Sequence, residues 1–292
     1  MISIIVIVAV VFLNLGNCNY TIDHHPNWQY LPNDICGTTI YDRHHYRIIG
    51  GTIAKVAEYP WLVKLGVKLF FLAPFINCAG TLITENHVVT AGHCSYNNIV
   101  QIGDLNPEEH QECDNERNYC SEYKLIETKL VFNAYDQGSM KYDIALMRLA
   151  EPVQFTEFLL PACLPRRHLL YENLLGRHVD VPGWGYIDNE GRLPNSLMHV
   201  QLPIIKKQWC ELAYKKKLIS SQLCIGNVGN SERDSCTGDS GGGITMRRDL
   251  DGKTRHYLVG IVSHGFTKCA TGPAIYTSVA HYVKMILDHI TE

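Results

Sequence analysis

Short runs rich in β-branched and aromatic residues recur along most of the chain, and turn residues separate them. Runs of this length and composition predict β-strands. Many short strands at even spacing are typical of a barrel or a sandwich, so the pattern indicates an all-β fold. The runs cover residues 61–65, 80–83, 87–90, 99–102, 257–263 and 274–277.

The last part of the sequence has a different hydrophobic period. Apolar residues between Val279 and Ile290 recur at helical spacing and share one face. Ser278 precedes this stretch, and serine often caps a helix N-terminus through its side-chain oxygen. We therefore expect one helix that closes an all-β chain.

The first residues form a separate segment. Residues 4–13 are an unbroken apolar run of ten, which suits the core of a signal peptide and is short of the roughly 20 residues that span a bilayer. The small residues Gly16 and Cys18 favour a cut after Cys18. No lysine or arginine precedes the run, so a retained anchor is the alternative. We expect a signal peptide at 1–18 and secretion to the extracellular space.

Composition limits the classes of partner. The 292-residue chain is 46% hydrophobic and 19% charged, as packed globular proteins are. Its net charge of -3 indicates neither nucleic acid nor an acidic membrane as partner. Residues 19–47 are polar and contain two histidine pairs, which we interpret as surface histidines of an extended lead segment rather than as a metal site.

The chain contains eleven cysteines, and ten remain if Cys18 leaves with the signal peptide. An even, high count in a secreted chain predicts a disulfide framework. No CxxC pair is present, which disfavours a zinc finger. The count alone leaves the pairing open.

Three short motifs carry the chemistry, and a fourth stands in front of them. They are Thr-Ala-Gly-His-Cys at 90–94, Asp-Ile-Ala-Leu at 143–146, Gly-Asp-Ser-Gly-Gly at 238–242 and Ile-Ile-Gly-Gly at 48–51. With these motifs in this order, the chain resembles the chymotrypsin/trypsin family of serine proteases over about 36–292. The resemblance implies a trypsin-like peptidase domain of two antiparallel six-stranded β-barrels, at about 48–160 and 161–292.

The resemblance also implies the catalytic roles. Ser240 would be the nucleophile and His93 the general base and then the general acid, while Asp143 would orient the imidazole. Backbone N–H groups of Gly238 and Ser240 would form the oxyanion hole. The implied reaction is peptide hydrolysis through an acyl-enzyme, with no organic cofactor and no metal at the site.

An activation step is implied in front of the domain. A cut after Arg47 would free the Ile48 ammonium, which in similar proteases pairs with the aspartate before the nucleophile, here Asp239. Residues 19–47 would then be a propeptide or light chain that Cys36 keeps attached. Because the cut follows an arginine, we expect an upstream trypsin-like protease as activator.

Specificity is implied by residues that match the substrate pocket. Asp234, six residues before Ser240, matches the pocket floor of relatives that cut after arginine or lysine, and Ser235 beside it adds a hydrogen bond. Ser263 and Gly265 match the strand that pairs with the substrate backbone. The remaining positions depart from the family pattern: Ala274 replaces a glycine of the pocket wall and narrows it, His264 replaces an aromatic residue, Gly243 replaces a common proline, and Lys268 lies near the pocket mouth.

Disulfide pairing and a possible ion site are likewise implied by the resemblance. The acidic loop at 104–122 matches a loop that binds calcium in relatives, and a solvated acidic loop is the other interpretation. The implied pair Cys113–Cys120 is similar to the extra loop disulfide of arthropod proteases that often carry a clip domain. No clip domain is expected here, because only residues 19–35 precede Cys36 after the signal peptide. The implied pairs are Cys36–Cys163, Cys78–Cys94, Cys113–Cys120, Cys210–Cys224 and Cys236–Cys269.

Two classes of function follow. The first is a secreted serine endopeptidase precursor, whose partners are protein substrates, an activating protease and protein protease inhibitors, without nucleic acid or membrane. The second is a non-catalytic protease homologue that acts as a binding or cascade cofactor protein. Such homologues usually lose a triad member, whereas His93, Asp143 and Ser240 are all present, which favours the enzyme.

Overall fold

The computed structural model describes residues 22–41, 52–69, 71–103, 113–114, 119–132, 134–186, 190, 192–228, 239–266 and 272–291. The helices of this part of the chain are α1 (Lys207–Tyr214), α2 (Val283–His289) and five short 3₁₀ helices at Ile22–His24, Pro26–Tyr30, Gly92–Cys94, Arg167–Leu170 and Val279–His281. The strands are β1 (Thr52–Ile53), β2 (Leu62–Val67), β3 (Phe75–Leu82), β4 (His87–Thr90), β5 (Ile99–Ile102), β6 (Cys113–Asp114), β7 (Tyr119–Cys120), β8 (Glu122–Val131), β9 (Ala145–Leu149), β10 (His178–Gly183), β11 (Met198–Ile205), β12 (Gln222–Ile225), β13 (Gly243–Leu250), β14 (Lys253–His264) and β15 (Ala274–Ser278). None of the described helices is both long and apolar enough to cross a bilayer.

Six antiparallel strands close into a first barrel, in the order β2-β3-β4-β9-β8-β5. Closure pairs every strand on both sides, so this barrel has no free edge. Its large apolar side chains belong to one buried cluster, as expected for a small barrel that is filled by side chains. Fully buried examples are Trp61, Leu65, Leu82, Ile102 and Met147.

The second barrel is built from the C-terminal half of the chain. Its sheet runs β11-β10-β13-β14-β15-β12, and the pairing of β11 with β12 closes it. A second buried cluster fills it, with Val181, Leu202, Ile225, Ile244 and Tyr276 among its members. The two antiparallel six-stranded barrels confirm the predicted fold class.

The two barrels exchange their terminal elements. Near the start of the domain, β1 pairs with β11 of the second barrel, with Thr52 opposite His199. At the other end, α2 adds Val283, Ile286 and Leu287 to the buried cluster of the first barrel. A single boundary near residue 160 would leave each barrel with its own half of the chain. Instead, β1 packs on the second barrel and α2 on the first, so the barrels are tied together at both ends.

The C-terminal helix forms as predicted, but it starts differently. A 3₁₀ turn at Val279–His281 comes first, and the α-helix begins only at Val283. Ser278 makes no side-chain cap, so that prediction is wrong. The tighter turn brings the His281 ring to the serine instead, with Nδ1 at 3.3 Å from the hydroxyl oxygen.

The lead segment is docked on the domain rather than extended. Cys36 forms the predicted disulfide with Cys163. The side-chain amide of Asn27 donates to the carbonyl oxygens of Leu287 (2.7 Å) and Ile290 (3.2 Å), and so satisfies acceptors that the end of α2 leaves open. Although residues 19–47 are polar, the Asn27 side chain thus binds the backbone of the domain.

A buried histidine lies at the start of β4. Only 1% of His87 is exposed, and its Nδ1 lies 2.8 Å from the Thr84 hydroxyl oxygen. Burial, and then the charge of Arg148 on the neighbouring strand, lower the pKa of His87 to about 4. The ring is therefore neutral in the folded protein near pH 7.

His87 should make the stability of the first barrel depend on pH. The histidine pKa is about 6.5 in an unfolded chain, so as pH falls the unfolded state takes up the proton first. The contribution is complete above pH 6.5 and is lost as pH falls to about 4. One pKa unit corresponds to about 1.4 kcal/mol, so the loss approaches about 3 kcal/mol. Urea unfolding at pH 7, 5 and 4 measures it.

The matched variants are His87→Gln, which removes the titrating group, and His178→Gln, which removes an exposed histidine. We expect the first to flatten the decrease in unfolding free energy between pH 7 and 4, and the second to leave it unchanged. A pH dependence in His87→Gln as steep as in the unaltered protein would contradict the prediction.

Candidate active site

His93 lies in the short 3₁₀ helix Gly92–Cys94, which follows β4 directly. The helix is fixed to the first barrel because Cys94 forms the predicted disulfide with Cys78 of β3. The His93 side chain is 19% exposed, whereas Asp143 behind it is fully buried. The ring therefore has one edge against a buried carboxylate and another edge open to a substrate.

The Asp143 carboxylate accepts three hydrogen bonds. Oδ1 accepts the backbone N–H of His93 at 2.9 Å. Oδ2 lies 2.8 Å from His93 Nδ1 and 2.6 Å from the Ser263 hydroxyl. An ionised carboxylate only accepts, so Nδ1 carries the proton and Nε2 of the neutral ring is left as an acceptor. The triad roles expected for His93 and Asp143 require this tautomer.

The turn that carries Ser240 is docked on the first barrel. The Ala79 N–H donates to the Ser240 carbonyl oxygen at 2.7 Å. Gly241 has φ +80°, and a Cβ there would collide with the Thr90 hydroxyl, so only glycine fits. Ala79 and Thr90 belong to the strands that lead to His93, and the docking therefore brings Ser240 beside the histidine.

The Ser240 hydroxyl makes no hydrogen bond to His93 within the described residues. The histidine ring is bonded on its Asp143 side, and Cys94 Sγ lies 3.6 Å from the Ser240 carbonyl oxygen. Hydrogen bonds between nucleophile and base are often long before substrate binds. The structure thus shows the His93–Asp143 hydrogen bond and places the Ser240 backbone against Ala79 and Cys94, while the nucleophilic role of Ser240 stays a prediction.

Asp239 lies on the other side of the nucleophile turn. It is 7% exposed, and the Gly185 N–H donates to its Oδ1 at 2.7 Å. Gly183 and Gly185 approach the carboxylate so closely that neither has room for a Cβ. A buried carboxylate needs hydrogen bonds or a counter-charge, and the segment 183–185 is shaped to receive one.

The residues predicted to line the path of the substrate backbone, Ser263 and Gly265, lie at the end of β14. Ser263 is 3% exposed and Ala274 is 1% exposed, and an added Cβ on Gly265 would lie 3.9 Å from the Ala274 Cβ. Gly265 and Ala274 therefore face each other, as two walls of a pocket would. The Ser263 hydroxyl also donates a hydrogen bond to the Asp143 carboxylate. The sequence did not predict this second role.

An aromatic group lies next to these walls. The Tyr214 ring stacks on Phe266 with centroids 4.6 Å apart and lies 5.3 Å from the His264 ring. Partial burial, and then the charge of Lys216, lower the pKa of His264, so its ring is neutral at pH 7. His264 is thus part of an aromatic cluster, although histidine replaces the aromatic residue expected there.

Tyr135 is a second residue that sequence reasoning missed. Its ring would be 3.2 Å from a Cβ on Gly92, which also approaches Asp143 closely. Burial, and then the charges of Asp143 and Asp136, raise the pKa of Tyr135 to about 12. The tyrosine therefore shields the buried carboxylate as a neutral group, and no motif in the sequence signals it.

One group of side chains in the described part of the chain has the spacing of metal ligands, namely Cys78, His93 and Cys94. The two cysteines are bonded to each other, and His93 Nδ1 is bonded to Asp143. The disulfide leaves neither cysteine as a thiolate for a metal, and His93 Nδ1 is already bonded to Asp143.

Two further implied disulfides can be compared with the structure. Cys210–Cys224 is present. Strands β6 and β7 place Cys113 opposite Cys120 in register, and the side chains of these two residues are not described.

Several predicted residues lie outside the described part of the chain. The roles of the other residues stay predictions: Arg47, Ile48, Asp234, Ser235, Gly238, Lys268, the pair Cys236–Cys269 and most of the loop 104–122.

The Ser263 hydroxyl provides a direct test of the site. Ser263→Ala removes one of three donors to a buried charge, and such bonds contribute about 1.5–3 kcal/mol. Because His93 keeps both of its bonds to Asp143, we expect kcat/KM on an arginine anilide to fall by about tenfold. Ser221→Ala removes another buried hydroxyl, bonded to Tyr282 at 2.9 Å, and should lower stability without lowering activity. Equal activities of the two variants would contradict the assignment.

Comparison with known proteins agrees with this geometry. The family model described as Trypsin matches residues 48–286. The chain is 35% identical to the venom serine protease Bi-VSP of Bombus ignitus, over 82% of this chain and 67% of that protein. It is 32% identical to the proclotting enzyme of Tachypleus tridentatus, over 92% of this chain and 73% of that protein.

A solved structure gives the same result. The Drosophila Grass clip serine protease of the Toll pathway superimposes with a TM-score of 0.73 and 28% identity, over 88% of this chain and 75% of that chain. The match includes the two barrels and agrees with the expected similarity to arthropod clip-type proteases. Barrels, motif order and family match together show that this chain belongs to the trypsin family of serine proteases.

Proposed function

We propose that the protein is a secreted serine endopeptidase precursor, which a cut after Arg47 activates and which then hydrolyses peptide bonds after arginine or lysine. The observation that carries the proposal is the buried Asp143 carboxylate bonded to His93 Nδ1 at 2.8 Å, beside a turn that presents Ser240. Non-catalytic homologues usually lose a triad member, whereas this bond and Ser240 are both present here.

The proposed chemistry uses Ser240, His93 and the predicted oxyanion hole. Ser240 Oγ attacks the carbonyl carbon of the scissile bond while His93 Nε2 accepts its proton. The new negative oxygen is stabilised by the N–H groups of Gly238 and Ser240, each worth about 3–4 kcal/mol of barrier. The C–N bond then breaks as His93 returns the proton to the leaving amine, and a water molecule hydrolyses the acyl-enzyme by the same steps.

Activation would act through Asp239. The bond from Gly185 N–H supports a carboxylate held inward, where the Ile48 ammonium freed by cleavage can reach it. Breaking such a buried pair costs about 3–5 kcal/mol, enough to decide whether the turn before Ser240 is ordered. Cys36, bonded to Cys163, would keep the lead segment attached as a light chain after the cut.

Specificity for basic side chains rests on Asp234 and Ser235, which match the pocket floor of relatives with that specificity. A carboxylate at the bottom of a pocket disfavours neutral side chains, because it is left buried and unpaired. Ser263 and Gly265 would line the path of the substrate backbone. Neither an organic cofactor nor a catalytic metal enters the proposal, and calcium in the 104–122 loop stays a separate hypothesis.

The relatives support the cellular setting. The relatives include proteins named as venom proteases and as a proclotting enzyme. By analogy, the partners proposed here are an upstream trypsin-like activator, protein substrates and protein protease inhibitors. Secretion follows from the proposed signal peptide at 1–18.

Cleavage with trypsin tests the enzyme and its switch together. We expect N-terminal sequencing to find a new terminus at Ile48 and an arginine-anilide assay to find activity. Ser240→Ala should be cut in the same way and lose about 10⁵-fold or more in kcat. A clean Ile48 terminus without activity on arginine, lysine, phenylalanine or alanine substrates would contradict the proposal and favour a binding protein.

The pocket wall provides a second test. Ala274 adds a methyl group where glycine is usual, and overpacking commonly costs about 1–3 kcal/mol. We expect Ala274→Gly to raise kcat/KM by about tenfold for arginine substrates, and by less for the slimmer lysine. Ala280→Gly, outside the pocket, is the control. A fall for both substrates would show that the methyl group does not narrow the pocket.

A further inference from the structure

A cavity of about 530 Å³ lies beside the second barrel, and the proposed mechanism does not use it. Four stretches of the chain form its walls: residues 169–175, residues 204–208 from the end of β11 into α1, residues 223–224 of β12, and residues 278–281. None of them belongs to the triad or to the predicted substrate pocket. Sites for small molecules are concave and measure roughly 300–1,000 Å³, so this cavity has the size of a ligand site.

Backbone hydrogen bonds and a disulfide hold the walls in place. Gly176 N–H donates to the Ile204 carbonyl oxygen, and Ile204 N–H donates to the Arg177 carbonyl oxygen, both at 2.8 Å. The Cys210–Cys224 disulfide fastens α1 to β12. The cavity is therefore formed before a ligand arrives, and a ligand does not have to order its walls.

Most of the cavity lining is aliphatic. Such a lining favours the burial of hydrocarbon and offers few partners to a ligand that is polar throughout. A ligand that fits these walls therefore has an apolar body. The aliphatic members are Leu169, Leu170, Leu174, Leu175, Ile204 and Leu223, among others.

The charged part of the lining is positive. The exposed Lys206 and the half-buried Lys207 both contribute to it. Among the described lining residues the single carboxylate is that of Glu172, and Arg248 holds it through two hydrogen bonds of 3.0 and 3.1 Å. Because this fork neutralises the carboxylate, the two lysines determine the sign of the local charge, and the polar end of the ligand should be an anion.

The Lys207 ammonium is bound only to neutral acceptors in the described part of the chain. Nζ donates to the carbonyl oxygens of Ile219 (2.6 Å) and Ser220 (2.9 Å), which uses two of the three N–H groups of an ammonium. Partial burial lowers the pKa of Lys207, and the charge of Glu211 offsets this only in part. An anion in the cavity would accept the third hydrogen bond and favour the charged lysine.

The start of α1 adds to the positive potential. Its N-cap residue, Lys206, makes no side-chain cap, and Gln208 of the first turn also lines the cavity. The first N–H groups of a helix lack partners within the helix and form the positive end of its dipole. His281, the remaining basic residue of the lining, is neutral near pH 7, because burial and then the charge of Lys207 lower its pKa. The two lysines and the helix start would therefore bind the anion.

We propose that this cavity is a binding site for a fatty-acid-like ligand, a carboxylate with an unbranched hydrocarbon chain. The chain lies among the leucines, and the carboxylate lies at Lys206, Lys207 and the start of α1. The site is separate from the proposed peptidase function and does not depend on it. Its test therefore measures binding and not activity.

Calorimetric titration of the uncut chain with decanoate is the first measurement. We expect saturable binding at one site per chain. Octanoate should bind about tenfold more weakly, because each buried methylene strengthens binding by about fourfold. Decanol, which lacks the charge, should bind about fivefold more weakly than decanoate. Absence of saturable decanoate binding, or equal binding of decanol, would overturn the proposal.

Variants locate the two ends of the ligand. Lys206→Met should weaken decanoate about fivefold and leave decanol unchanged, whereas Lys216→Met, which removes an exposed lysine after α1, should leave both unchanged. Ala280→Phe fills the cavity and should weaken both ligands at least tenfold. If that variant does not fold, Leu175→Glu, at a position that is 48% exposed, should weaken decanoate by a similar factor. Unchanged decanoate binding in the Lys206 variant and in the cavity variant would overturn the site.

Two further readings separate this ligand from other anions and from other places on the protein. A sulfated oligosaccharide carries negative charge without an apolar body, so we expect it not to displace decanoate. Decanoate with a photoreactive group at the end of its chain should label residues 169–175 or 223–224. Displacement by the oligosaccharide would overturn the proposal in favour of a surface for polyanions, and labelling confined to other segments would overturn the assignment to this cavity.

Discussion

The buried carboxylate of Asp143 is the interaction on which the rest of the site depends. His93 from the first barrel and Ser263 from the second both donate to it, and the Thr277 hydroxyl of β15 donates to its backbone carbonyl at 2.8 Å. An anion at this depth is costly without its donors. Separating the barrels would therefore remove the Ser263 donor from the carboxylate and the Thr277 donor from its backbone carbonyl, and the exchange of β1 and α2 holds the barrels together.

Close approach of the backbone is the second constraint, and it explains a departure from the family pattern. A Cβ on Gly243 would collide with the Thr81 hydroxyl and press on Leu258. Proline, which is common at this position in the family, does not fit beside that threonine. Glycine at 243 therefore fits beside Thr81 of the first barrel, where a side chain would collide with it.

Strands were predictable because runs rich in β-branched and aromatic residues are local signals, and the two barrels were predictable because short motifs carry the resemblance to the chymotrypsin/trypsin family. The runs at 87–90 and 99–102 coincide with β4 and β5. The docking of the lead segment was not predictable, because Asn27 finds acceptors about 260 residues away in the chain. The second role of Ser263 was missed for a similar reason. A substrate strand is visible in the sequence, whereas a bond from it to Asp143 depends on how the two barrels pack.

The two buried carboxylates of the site differ in the hydrogen-bond donors around them. The Asp143 carboxylate is satisfied by a hydroxyl, a backbone N–H and a ring N–H, donors that exist as soon as the barrels fold. Asp239 receives a backbone N–H in a pocket shaped by glycines. Cleaving one peptide bond can create a cation but cannot create a hydroxyl. In the proposed function, control of activity by proteolysis would therefore act at Asp239 rather than at Asp143.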